Sequence, residues 1–217
     1  MAITVCIADD HAVVREGLRL ILESQHEISV IGEAADGRTA VRLAEELAPQ
    51  VVVMDIAMPE LNGIEATRTI AERCRSTHVV ILSVYSGSEY VIRAFQAGAR
   101  GYLLKESAGS EVAEAVRAVT TGRRYVSQSI AEKLIDAHVE LGRTEAPADP
   151  LQRLSARERE ILQLVVEGRS SAEIAQALYL SPKSVETYRS RLMRKLGIDD
   201  LPGLVKFAIR HGLTGLE

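Results

Sequence analysis

The chain has 217 residues, 47% hydrophobic and 26% charged, which allows one large domain or two ordinary ones and excludes a disordered or fibrous protein. No apolar run approaches the roughly 20 residues that cross a bilayer, and the first residues enter a strand pattern without a basic leader, so a cytoplasmic protein with no membrane partner is expected. The net charge of −4 is unevenly divided, with 15 Lys/Arg against 22 Asp/Glu in residues 1–150 and 11 against 8 in residues 151–217, which predicts two domains with different partners.

Residues 3–8 read as an apolar strand ending in Asp9 and Asp10, followed by a helix that turns Val14, Leu18, Ile21 and Leu22 inward. A second strand at 28–34 leads through Asp36 and Gly37 to a helix stopped by Pro49. Residues 51–54 are continuously apolar and β-branched up to Met54, the pattern of a strand covered on both faces, and they end abruptly at Asp55. A helix from about 63 to 73 precedes a fourth strand, 78–82, that ends at Ser83. A helix stopped by Gly98 precedes a fifth, 101–104, that ends at Lys105, and an amphipathic helix from 111 to 121 follows. Cys6 and Cys74 give neither a disulfide framework nor metal-ligand spacing. Five strands alternating with five helices predict an α/β domain, a flavodoxin-like doubly wound five-stranded parallel sheet, over residues 1–122. In such a sheet the carboxyl ends of the strands converge on one crevice. Asp9, Asp10, Asp55, Ser83 and Lys105 all follow strands, so they are expected to meet there.

Three carboxylates in one cleft require a compensating cation. A hard divalent ion such as Mg²⁺ suits carboxylate oxygens and bridges to phosphoryl oxygens, which would make Asp55 a nucleophile toward phosphorus with Lys105 neutralising charge beside it. The segments Ala8-Asp9-Asp10-His11, Met54-Asp55-Ile56-Ala57-Met58-Pro59 and Gly98-Ala99-Arg100-Gly101-Tyr102-Leu103-Leu104-Lys105 resemble the receiver domain of a two-component response regulator. The resemblance implies that Asp55 accepts phosphate from a histidine kinase. It also implies that Asp10, Asp55 and the Ala57 backbone carbonyl hold Mg²⁺, with Asp9 acting through water. Lys105 is then a phosphoryl contact, and Ser83 and Tyr102 a switch pair in which the hydroxyl moves toward the new oxygens and the ring turns inward. Ala57 and Tyr85 are expected to tune the phosphate's lifetime.

Residues 123–150, with a helix expected over about 129–140 and then a Pro, Ala and charge mixture, read as a linker. From 151 to 217 the pattern is helical: Ser155 with Glu158 and Ser170 with Glu173 form capping boxes, and Ser181 with Pro182 opens a helix that runs to Gly197. On that last helix Val185, Tyr188, Leu192 and Leu196 share one face, while Lys183, Thr187, Ser190, Arg191 and Arg194 share the other. A polar, cationic helix face fits the major groove of double-stranded DNA. Residues 152–213 are similar to the LuxR-type helix-turn-helix of NarL/FixJ regulators, carried by Leu154-Ser155-Ala156-Arg157-Glu158, by Leu180-Ser181-Pro182-Lys183-Ser184-Val185-Glu186-Thr187-Tyr188 and by Lys195-Leu196-Gly197-Ile198. The resemblance adds Ser184, Glu186, Tyr188 and Lys195 to the expected DNA contacts and makes helix 201–210 a dimer contact. Tyr188 stands where the family most often has His, Ser184 where it often has Thr, and Glu186 is acidic, so the operator cannot be read off. The expectation is a transcriptional regulator that is not an enzyme and that forms a homodimer on phosphorylation of Asp55. The competing readings are a phosphorylation-independent transcription factor and a phospho-aspartyl phosphatase, the latter disfavoured because Ala57 stands where a second acid would be wanted.

Overall fold

The computed structural model describes residues 2–132, 134 and 150–214. The chain divides into two compact units, Met1–Glu145 and Ala146–Glu217. In the first, β1 (Ile3–Ala8), α1 (Ala12–Glu23), β2 (Ile28–Ala34), α2 (Gly37–Leu47), β3 (Val51–Asp55), α3 (Gly63–Arg73), β4 (His78–Ser83), α4 (Ser88–Gln96), β5 (Gly101–Leu104), α5 (Ala108–Thr120) and β6 (Tyr125–Val126) alternate along the chain. All strand pairs are parallel, in the order β2-β1-β3-β4-β5-β6.

The continuous apolar runs are explained by two cores, one on each face of the sheet. Val5, Ile7, Val51, Val53, Val80, Leu82 and Leu103 pack with α1 and α5 through Leu18, Leu22, Val112 and Val116. Their alternates Cys6, Ala8, Val52, Met54, Ile81, Tyr102 and Leu104 pack with α2, α3 and α4. The strand β3 is buried at all five positions and sits centrally. This places Asp55 deep in the crevice.

The sheet has one strand more than the five expected. Tyr125 and Val126 pair with Gly101 and Tyr102, and a helical turn begins at residue 128 with Ile130 fully buried in the first unit's core. The first unit therefore continues past residue 122, where the linker was expected to start. Two residues are too few to show a strand's alternation, and one isolated isoleucine gives no helical period. The rest of the expected 129–140 helix, apart from 134, lies outside the described residues.

The second unit consists of a short 3₁₀ turn at Pro150–Arg153 and the helices α6 (Ala156–Val166), α7 (Ser171–Leu178), α8 (Pro182–Leu196) and α9 (Leu201–Arg210). Both expected capping boxes form, and Ser181 accepts a hydrogen bond from the Ser184 N–H with Pro182 in the first turn of α8. Gly197 ends α8 in the left-handed region, as a C-cap glycine does. Ile161, Leu162, Ile174, Leu178, Val185, Leu192, Leu204 and Ala208 form a core separate from those of the sheet. Among the described residues no helix is long and apolar enough to cross a membrane.

Candidate functional site

The strand ends bring Asp9, Asp55 and Lys105 together. Lys105 Nζ lies 2.7 Å from Asp55 Oδ2 and 2.7 Å from Asp9 Oδ2. Asp55 Oδ1 accepts from the Ile56 N–H at 2.7 Å. Asp9 Oδ1 accepts from the His11 N–H at 2.9 Å, and the Asp9 carbonyl from Arg15 Nη1 at 2.8 Å. Asp9 and Asp55 are both buried, at 1% and 3% exposure, so the ammonium offsets a like-charge pair that water cannot screen. Burial pushes the Asp55 carboxyl up to about 6, with the charge of Asp9 adding to the effect and Lys105 opposing it. At Lys105 burial works against the charged form, and Asp55 and Asp9 more than reverse it, so the ammonium is held above its ordinary range.

Asp10 is less buried, and its Oδ1 lies 2.6 Å from His11 Nδ1. One donor atom each from Asp9, Asp10, His11 and Asp55 lie within 4.8 Å of one another. Asp9 Oδ2 and Asp10 Oδ1 are buried atoms that accept no hydrogen bond of good geometry, the first standing beside Lys105 Nζ and the second beside His11 Nδ1. Buried carboxylate oxygens in that condition, grouped at this spacing, suit a hard divalent cation. His11 directly follows the acidic pair, and sequence reasoning gave it no role. Only the register of the chain as it enters α1 turns its ring toward Asp10.

Ser83 is fully buried at the end of β4, beside Leu104 in the ladder. Its Oγ accepts from the Tyr85 N–H at 3.1 Å. The Tyr102 ring is also fully buried, and its hydroxyl donates to the Tyr85 carbonyl at 2.7 Å. Burial pushes both the Tyr102 and Tyr85 hydroxyls up, and the charge of Asp55 adds to each. Tyr85 stacks on Tyr90 with ring centroids 4.5 Å apart, which anchors the loop between β4 and α4. A cavity of about 280 Å³ lined by Ser83, Ser86, Leu104, Lys105 and Glu106 opens alongside. Ala57 is half-buried two residues past Asp55. Behind it, a Cβ at Gly63 would stand 1.8 Å from the Asp55 carbonyl oxygen, so only glycine lets α3 start this close to β3.

Residues 5–117 match the response regulator receiver domain, and residues 152–208 match the bacterial regulatory proteins of the luxR family. The chain is a response regulator of the NarL/FixJ family. Response regulator UvrY of Escherichia coli strain K12 is 40% identical over 215 residues, 99% of this chain and 97% of that one. Among solved structures, a LuxR-family two-component response regulator from Aurantimonas sp. SI85-9A1 is 38% identical with a TM-score of 0.62, over 64% of this chain and 99% of that one. A structure of two RcsB dimers bound to two parallel DNAs is 26% identical with a TM-score of 0.60, over 95% and 98%. This response regulator is thus a DNA-binding transcriptional regulator.

On α8 of the regulator, Lys183, Thr187, Ser190, Arg191 and Arg194 are exposed, while Val185 and Leu192 are buried. Thr187 Oγ1 donates back to the Lys183 carbonyl at 2.9 Å. Ser184 Oγ lies 2.8 Å from Ser181 Oγ within the helix cap. Glu186 accepts from Ser171 Oγ and lies 3.4 Å from Arg189 Nη1, so its charge is partly engaged inside the unit. Two of the expected DNA contacts also have partners within the helical unit. Lys195 Nζ reaches back 2.6 Å to Glu158 Oε2, whose residue is 3% exposed. Tyr188 is half-buried against the helical core. Through these contacts both side chains tie α8 to the rest of the unit, while Lys195 stays exposed to solvent.

Proposed function

We propose that Asp55 accepts a phosphoryl group from a histidine kinase and that the change drives a homodimer onto paired DNA half-sites. The buried Asp55 held between Lys105 and the Ile56 N–H carries this reading: the carboxylate is fixed at the floor of the crevice with a cation beside its reactive edge. In the transfer the phosphorus–nitrogen bond of a phosphohistidine breaks and a phosphorus–oxygen bond forms on Asp55, while the departing imidazole takes a proton from water. Mg²⁺, held by Asp10, Asp55 and the Ala57 carbonyl with Asp9 acting through water, would supply neutralisation of the phosphoryl oxygens when bound. Lys105 exchanges its contact with Asp55 Oδ2 for the incoming phosphoryl oxygen, and Ser83 turns its hydroxyl from the Tyr85 N–H toward the same group. The site orients a single acceptor and has no second acid at position 57, so phosphoryl acceptance with slow self-dephosphorylation is its chemistry rather than catalytic turnover.

In the second unit Lys183, Thr187, Ser190, Arg191 and Arg194 form the ridge that enters the major groove, with Ser184 and Glu186 at its start. The α9 helix is the dimer contact. The activity belongs in the cytoplasm, where both a kinase's phosphohistidine and DNA are within reach. Acetyl phosphate with Mg²⁺, read by intact mass, is expected to add one phosphoryl group to the parent and none to Asp55→Asn. Duplexes selected from a random pool by the phosphorylated protein are expected to bind it at least about tenfold more tightly than the unmodified form. Equal affinity of the two forms, or an adduct on Asp55→Asn, would overturn the reading.

A further inference from the structure

The strand β6 and the turn after it take no part in the phosphoryl chemistry, yet they hold the strand that carries Tyr102. Val126 pairs with Tyr102 in the parallel ladder. The Ser127 N–H donates to the Tyr102 carbonyl at 3.1 Å, and the Tyr125 N–H to the Arg100 carbonyl at 3.0 Å. Ile130 is fully buried in the cluster that contains Tyr102, Tyr90, Val91 and Leu104, with Val126 and Leu134 packed against it. On the other face the Tyr125 hydroxyl lies 3.4 Å from Glu111 Oε2 and 3.3 Å from Glu114 Oε2. One atom opposes this seating: Ser127 Oγ is buried without a hydrogen-bond partner, which favours the undocked state where water reaches it.

We propose that residues 125–132 with Leu134 form a strap whose seating on β5 and the inward placement of the Tyr102 ring stabilise each other. A ring with no exposed surface needs its neighbours in place, and the strap contributes Ile130 and Val126 to the same cluster to which α4 contributes Tyr90 and Val91. Linkage makes the coupling reciprocal: whatever favours the inward ring favours the docked strap by the same factor. Resting on the phosphoryl-acceptor reading, phosphorylation of Asp55 acts through Ser83 and Tyr102 to tighten the strap, which begins the chain segment leading to the DNA-binding unit.

Amide hydrogen exchange of the full chain over residues 125–132, with and without acetyl phosphate and Mg²⁺, tests this alongside intact mass. Exchange is expected to slow by about fivefold or more on phosphorylation. Ser127→Ala is expected to slow it without phosphorylation, and Ile130→Ala and Tyr102→Ala each to speed it. In the double variant the two effects should be less than additive, since both break one coupling. If circular dichroism shows that an alanine variant is unfolded, Ile130→Val and Tyr102→Leu complete the same cycle. Unchanged exchange in a sample whose mass shows Asp55 loaded, or strictly additive Tyr102 and Ile130 effects, overturns the strap. If no adduct forms on Asp55, the phosphoryl-acceptor reading fails instead, and the strap is decided by the additivity of the cycle alone.

Discussion

Asp55 is a carboxylate that the fold makes costly to ionise, because its burial outweighs the help it receives from Lys105. Its folded pKa, about 6 against an ordinary 3.8, means that the folded chain binds this proton more tightly than the unfolded chain does. The contribution to stability is therefore fully present below about 3.8 and is lost as pH rises to about 6, amounting to roughly 3 kcal/mol at most. Asp55→Asn removes that loss. Its first unit is expected to melt above the parent's at pH 7.5 in EDTA, with the gap closing as pH falls toward 4. A melting difference independent of pH would show that ionisation of Asp55 is not its source. Asp55, Asp9 and Lys105 were legible in the sequence because each follows an apolar run directly. His11 was not, since a polar residue at a helix entrance has many uses and only its ring's approach to Asp10 distinguishes this one.

The amphipathic period of α8 identified its two faces, but the period assigns a residue only to a sector and not to a partner. Lys195 falls toward the DNA-facing side by count, while its long stem carries the ammonium back to Glu158. Burial works against the Glu158 carboxylate, and Lys195 and the Ser155 N–H more than reverse it, leaving its pKa below the ordinary range. Its stabilising effect is thus present above the unfolded carboxylate pKa and lost as pH falls through the lower folded value. Lys195→Met is expected to lower the second unit's stability by about 1 kcal/mol near neutrality, a figure kept small because Lys195 is partly open to solvent. The difference should vanish in acid, as read by urea melts at several pH values. Arg191→Ala and Arg194→Ala are expected to behave oppositely, leaving stability nearly unchanged while weakening DNA binding and each reducing its salt slope by about one. Fluorescence anisotropy across a salt series separates the two kinds of residue. The strand β6 escaped the same sequence reading for a related reason: its two residues acquire meaning only from the ladder they join.

The two units have separate cores and the acidic cluster lies in the first, so a cation held there is expected to act on the melting of the sheet unit. Calorimetry is expected to show two transitions, with millimolar Mg²⁺ raising that of the sheet unit and EDTA reversing the shift. A shift confined to the helical unit would place the cation elsewhere. The order of alternating strands and helices made the architecture legible, since parallel strands with helical crossovers leave few ways to fold. The parallel sheet also has a practical corollary. Every strand starts at one edge and finishes at the other, so the loop joining α3 to β4 lies across the whole sheet from Asp55. Cys74 occupies that loop half-buried, while the chain's other thiol, Cys6, is enclosed in β1. A maleimide dye is therefore expected to label Cys74 first and slowly, its thiolate being disfavoured by burial, and to give the native chain a reporter remote from the chemistry without any engineered cysteine.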